Sequence, residues 1–208
     1  MTRAFITGIG GQDGCYLAER LLEEGVEVHA LAHELDPAPD LPGVVLHTGE
    51  LTRVEEVRSL LRDVAPDEVY NLAALSSVAR SWREPDLTAQ VNGVAAVALM
   101  ESALRVQEQH GKRVRFVQAS SAEIFGEPDA SPQDESTPIR PINPYGAAKA
   151  YAHLAVEVYR RRGLHAVSAI LYNHESPRRP EHFLTRKVSR GAAAISLGLE
   201  QQLPLGDL

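Results

Sequence analysis

The chain has one cysteine in 208 residues, Cys15. A lone thiol excludes an internal disulfide, so an oxidising compartment is not called for and the cytoplasm is expected. No apolar run approaches transmembrane length, and the first strand pattern begins almost at the N-terminus, leaving no room for a signal peptide. Basic residues are outnumbered, with 21 Lys and Arg against 28 Asp and Glu and a formal net charge of −7, which argues against a nucleic-acid surface. There is no internal repeat, no low-complexity segment beyond a proline-rich loop, and no metal site is expected. What remains is one α/β domain with a substantial core, or slightly more.

The strongest local signal is Thr7-Gly8-Ile9-Gly10-Gly11-Gln12-Asp13-Gly14. An apolar run, Ala4 to Ile6, precedes it, and a helical pattern through Tyr16, Leu17, Leu21 and Leu22 follows. Glycines permit positive φ and a close backbone approach to a phosphate. A helix N-terminus adds unpaired N–H donors and partial positive charge. The spacing of Gly8, Gly11 and Gly14 in this context predicts dinucleotide binding, with a plain tight turn as the alternative. Cys15, at the helix start, is read as a small residue packed behind the loop.

The first helix is predicted from Gly14 to Glu24, stopping at Gly25, with strand β2 over Val26–Leu31. Glu34 follows, where a dinucleotide fold places the group that meets the adenosine ribose. A carboxylate there accepts from a free 2′-hydroxyl and repels a 2′-phosphate, so the cofactor preference leans to NAD over NADP. Asp36 is a second candidate, and both also read as solvated loop residues. Past the loop to Gly43, Val44–Leu46 reads as a strand and Thr48-Gly49-Glu50-Leu51 as the adenine-lining turn, with Glu50 as candidate contact or, alternatively, a surface-loop residue. Val54, Val57, Leu60, Leu61 and Val64 share one helical face. Asp67–Leu72 returns as a strand, and Leu72, Ala73 and Ala74 supply small groups beside the cofactor. A long helix is predicted over Pro85–His110. Strand–helix alternation throughout implies parallel strands and right-handed crossovers, a Rossmann-type doubly wound sheet spanning residues 1–172.

Val114–Val117 is the next strand, and it delivers Ser121 and Glu123 to its carboxyl end, where ligands bind in open α/β sheets. Asn143 and Pro144 then open a helix as N-cap and first residue. This sets Tyr145 and Lys149 at i and i+4 on one face. A nearby ammonium favours the phenolate, and such a tyrosine can take a proton from a hydroxyl while hydride leaves the same carbon for a nicotinamide.

Together the glycine loop, the serine-bearing strand and the Tyr-x-x-x-Lys helix resemble the extended short-chain dehydrogenase/reductase family. Thr7–Gly14 with Tyr16-Leu17-Ala18-Glu19, Pro66–Ala74, Gln118–Gly126, Asn173–Arg179 and Phe183–Lys187 narrow the resemblance to its dehydratases acting on GDP-mannose, over nearly the whole chain. The resemblance implies that Gln12 and Asp13 join the cofactor loop and that Lys149 also holds the nicotinamide ribose. It implies catalytic roles for Ser121, Glu123, Tyr145 and Lys149, with Glu123 removing the C5 proton and helping expel the C6 hydroxyl as water. Ser76, Asn173, Arg178, Lys187 and, with them, Arg179 become candidate substrate contacts, the last four near the diphosphate, with a solvated basic face as the alternative for Arg178 and Arg179. Residues 173–208 are expected to be the start of a substrate-binding region cut short, since relatives continue past Leu208. A homodimer through the 85–110 and 145–162 helices, or a homotetramer, is expected.

Some positions depart from the family pattern. Ser121 replaces a threonine and Ala122 a serine; Leu75 and Ser77 stand where glutamine and histidine are usual. Ala32-His33-Glu34 replaces a basic stretch that meets the 2′-phosphate of NADP. The remaining readings are an epimerase or reductase on the same scaffold, in which Glu123 is idle, and a non-catalytic cofactor-binding subunit.

Overall fold

Strand β1, Arg3–Thr7, runs through the middle of the sheet because its residues are apolar on both sides. Phe5 packs into a cluster with helices α2 (Val54–Val64), α5 (Ala95–His110) and α6 (Pro144–Arg161), while Ala4 and Ile6 pack with helix α1 (Gln12–Glu23). Such double burial is the mark of a parallel strand covered on both faces. The computed structural model describes residues 1–33, 40–181 and 183–205, so Glu34 and Asp36 lie outside the described residues.

Among the described residues, six parallel strands take the order β3-β2-β1-β4-β5-β6. The remaining strands are β2 (Glu27–Ala32), β3 (Val44–Thr48), β4 (Glu68–Asn71), β5 (Arg115–Ala119) and β6 (His165–Ala169). The order reverses between β1 and β4, which opens a crevice at their carboxyl ends. Gly25, at φ +76°, ends α1 as foreseen, with the Val26 N–H donating back to the Leu21 carbonyl. Helix α1 starts at Gln12 rather than Gly14 because Gly11, in an extended conformation, is the N-cap.

The predicted 85–110 helix is one rod with a fault in it. Helix α4, Pro85–Ala89, passes through a π-helical turn at Gln90–Val94 into α5. By length and composition this 26-residue rod meets the test for a membrane span, contrary to the expectation that no segment would. Ala95, Ala96, Leu99, Met100, Ala103 and Leu104 are all buried, so its apolar surface is used in packing. Helix α3 (Val78–Arg83), strand β6 and helix α7 (Leu184–Ser196) were not anticipated from periodicity.

By contacts the chain divides into a unit over Met1–Tyr172, which holds the sheet, and a second over Asn173–Leu208. Within the second, Arg179 stacks over Phe183 at 3.7 Å and pairs with Glu175, and Arg190 pairs with Glu181 across the start of α7.

Candidate active site

The glycine loop sits at the sheet's switch point because its backbone must pass closer to β4 than a side chain permits. Gly8 has φ +76°, and a Cβ on it would lie 2.7 Å from Ala73 N. A Cβ on Gly14 would lie 2.3 Å from the Gly8 carbonyl oxygen, so the first turn of α1 closes on the loop. At Gly10, by contrast, a Cβ would meet nothing within 4 Å. The N-cap of α1, Gly11, has no side chain with which to cap the first turn. An exposed glycine shelf beside an uncapped helix N-terminus suits a pyrophosphate. Gln12 is buried beneath it, Asp13 lies in the first turn, and the Cys15 thiol donates to the Ile9 carbonyl at 3.2 Å.

The other candidate cofactor residues line the same edge. Gly49 N–H donates to the Ala32 carbonyl, which sets Glu50 beyond the end of β2. Glu50 accepts a long bond from Thr52, and Leu51 packs partly against the core. Leu72 packs behind the loop, Ala73 N–H donates to Thr7 Oγ1, and Ala74 follows them at half-exposure. Ser76 is exposed one residue after Leu75, whose N–H and carbonyl both bond the buried Asn92 amide. Asn92 lies in the π-turn, so that fault aims an amide at the loop after β4.

Four candidate residues come from the turn that follows β5 and from the start of α6. Lys149, 3% exposed, donates from Nζ to the Ala119 carbonyl at 2.9 Å, tying α6 to the end of β5. Burial draws its pKa down from 10.5 to about 8. Tyr145, also buried, is one turn away, with Nζ 5.9 Å from its ring centroid. Ser121 Oγ accepts from the Glu123 N–H at 3.2 Å, which fixes a 3-10 turn over Ala122–Ile124 and leaves the serine proton to donate elsewhere. The Glu123 carboxylate accepts from Asn143 Nδ2 at 2.8 Å. Asn143 is also the N-cap of α6 and lies two residues before Tyr145.

Beneath these groups runs a buried polar chain that periodicity did not reveal. Thr7 Oγ1 donates to Asn71 Oδ1 at 2.6 Å, and Asn71 Nδ2 donates to Gln118 Oε1 at 2.8 Å. Gln118 Nε2 then donates to the Ala119 carbonyl at 2.9 Å, the acceptor of Lys149 as well. The signal was there: Asn71 and Gln118 are amides at the carboxyl ends of central strands, and a buried amide must find partners. Buried Ser120 and half-buried His153 form a further pair at 3.0 Å, with the His153 pKa lowered by burial.

Asn173, Arg178 and Lys187 belong to the second unit. Asn173 and Arg178 are exposed, and Lys187 lies half-buried on α7.

A parallel sheet of this order, a glycine turn at its switch point, and Ser121, Tyr145 and Lys149 at the same edge define a dinucleotide-binding domain of the extended short-chain dehydrogenase/reductase kind. Residues 5–208 match the model of the family described as GDP-mannose 4,6 dehydratase, and the chain belongs to that family. It is 43% identical to a GDP-mannose 4,6-dehydratase of Vibrio cholerae over 99% of its own length and 59% of the relative's. Among solved structures it resembles the Thermus thermophilus UDP-glucose 4-epimerase in complex with NAD, with TM-score 0.81 and 30% identity, covering 95% of this chain and 64% of that one. An NAD-dependent NDP-hexosamine 5,6-dehydratase of tunicamycin biosynthesis gives TM-score 0.81 and 25% identity, covering 99% and 64%. The chain thus spans about three-fifths of the length of the curated relatives it matches.

Proposed function

We propose that the chain carries the cofactor and proton-transfer half of a GDP-mannose 4,6-dehydratase, forming GDP-4-keto-6-deoxymannose and water from GDP-mannose. The observation that carries this reading is Glu123, held by Asn143 beside Tyr145 in a member of the dehydratase family. Oxidation at C4 alone needs one proton acceptor, whereas elimination needs a second acid/base.

The glycine shelf and the uncapped start of α1 would hold the pyrophosphate of NAD(P), Glu50 and Leu51 the adenine side, and Leu72–Ala74 the passage between. A bound nicotinamide supplies the position that takes hydride from C4 and later returns it to C6. Tyr145, beside the Lys149 ammonium, takes the C4 hydroxyl proton, and Ser121 donates a hydrogen bond to the same oxygen. With a ketone at C4 the C5 hydrogen becomes acidic. Glu123 takes that proton and protonates the departing C6 hydroxyl, which leaves as water. Return of hydride to C6, with the proton that Tyr145 took from the C4 hydroxyl passed back to C5, would complete the product, so the net change is loss of water alone. Lys149 would also hold the nicotinamide ribose. Ser76, Asn173, Arg178, Arg179 and Lys187 are proposed to contact the sugar and diphosphate, as donors that suit phosphate and hydroxyl oxygens.

We place the chain in the cytoplasm and pair it as a homodimer, or as a homotetramer built from dimers. Tyr151, Leu154 and Val158 of α6 are each more than half exposed, as is Val94 on the neighbouring rod. Large apolar groups so arranged favour a partner helix pair.

Incubating the chain with GDP-mannose and either NAD or NADP, then weighing the nucleotide sugar by mass spectrometry, tests the reading. A product lighter by one water supports it. A product of unchanged mass indicates an epimerase, and no product with cofactor bound indicates a non-catalytic subunit; either overturns it. The same titrations decide between NAD, favoured by Glu34, and NADP.

A further inference from the structure

We propose that Asn143 is a positioning residue that holds the Glu123 carboxylate in a fixed relation to Tyr145, by sharing one amide between the cap of α6 and the acid. The inference rests on the dehydratase reading for its consequence in turnover, and on geometry alone for the link itself.

The two ends of the Asn143 amide do different work. Oδ1 accepts from the Gly146 N–H at 2.7 Å, closing the first turn of α6. Nδ2 donates to Glu123 Oε2 at 2.8 Å, a charge-assisted bond. Asp and Ser cap a helix about as well as Asn. Asp has no donor to offer, however, and a serine hydroxyl that caps is too short to reach a carboxylate as well. A requirement for capping alone therefore does not select Asn at this position; the second bond does.

The backbone of Glu123 is held by the same turn. A Cβ at Gly146 would lie 2.4 Å from the Glu123 carbonyl oxygen, so α6 and the 3-10 turn touch main chain to main chain. The Glu123 N–H is taken by Ser121 Oγ. The residue is thus fixed at its N–H, its main chain and Oε2, while Oε1 has no hydrogen-bond partner among the described residues. Tyr145 lies between Asn143 and Gly146 in the same helical turn. The carboxylate and the phenol consequently move as one body, with one carboxylate oxygen held and the other left for the substrate. Held geometry of this kind is where an acid/base gains its rate.

The test compares Asn143→Ser, which keeps the cap and loses the donor, with Asn143→Asp, which keeps the cap and sets two carboxylates together. The expected result is a kcat for GDP-mannose dehydration lowered roughly tenfold to a hundredfold in Asn143→Ser and at least as far in Asn143→Asp, with KM and cofactor affinity unchanged. A urea-denaturation cycle of Asn143→Ser, Glu123→Ala and the double variant reads the link without turnover. The two changes are expected to be non-additive, the serine variant losing stability only while Glu123 is present. Wild-type kcat in Asn143→Ser, or additive denaturation midpoints, overturns the proposal. Should the unsubstituted chain form no product, the dehydratase reading falls, and the cycle still decides whether Asn143 holds Glu123.

Discussion

Gly8 and Ala73 approach so closely that one methyl group on residue 8 would stand 2.7 Å from Ala73 N. This contact joins the loop after β1 to the loop after β4, so the two sides of the cofactor crevice are one packed unit. Gly8→Ala adds both that overlap and a strained positive φ. Overpacking alone costs about 1–3 kcal/mol. A lowered urea midpoint and loss of NAD(P) binding by calorimetry are expected.

Lys149 is a charge buried at the expense of stability. Its folded pKa, about 8, lies below the ordinary 10.5 because burial disfavours the ammonium. The unfolded chain therefore binds this proton more tightly. The penalty is complete below about pH 8, shrinks as pH rises towards 10.5 and vanishes above it. Lys149→Met removes the penalty, while Gln118 still serves the Ala119 carbonyl. The variant is expected to be more stable at neutral pH by on the order of 3 kcal/mol, with less gain as pH approaches 10.5, and to be inactive. Urea midpoints across this range, with turnover assays, check both halves.

Asn71 is the central member of the buried chain from Thr7 to Lys149. Asn71→Leu orphans the Gln118 carbonyl and removes the acceptor of Thr7, at about 1–3 kcal/mol for each orphaned group. Thermal unfolding is expected to shift down accordingly.

Glu123→Gln keeps the size of the side chain and removes its basicity. Dehydration is expected to fall by roughly two to four powers of ten, while cofactor affinity stays as it was. Mass analysis of the nucleotide sugar and calorimetry with NAD(P) measure the two outcomes; undiminished dehydration would remove Glu123 from the elimination step.

Leu154 and Val158 lie more than half exposed on α6. Charging both, as Leu154→Glu with Val158→Glu, is expected to yield monomers by light scattering, with the monomer's far-ultraviolet circular dichroism unchanged. Neither side chain belongs to the sheet core, so the fold itself should persist.

Much of the framework was legible because its determinants are local. The apolar run into Gly8, Gly11 and Gly14, the alternation of β2 and the Gly25 stop are read from neighbours in sequence, and the resulting elements appear within a residue or two of where they were expected. The π-turn at Gln90–Val94 was not read: Asn92 and Gly93 are weak helix formers, but nothing local distinguishes a π-turn from an α-helical one, and the fault answers a distant demand, the Asn92 amide bonding Leu75. Strand β6 was missed for a similar reason: His165-Ala166-Val167-Ser168-Ala169 carries little apolar pattern of its own, and pairing with β5 supplies what the pattern lacks.

The site divides the same way. Residue types and spacings along the chain determined by themselves that a phenol and an ammonium would share a helical face, since i and i+4 stack whatever the surroundings. Which groups hold Lys149 and Glu123 was decided only by the tertiary structure. Those bonds join residues 30 and 20 positions apart, and a buried polar atom takes whichever partner the fold brings within reach.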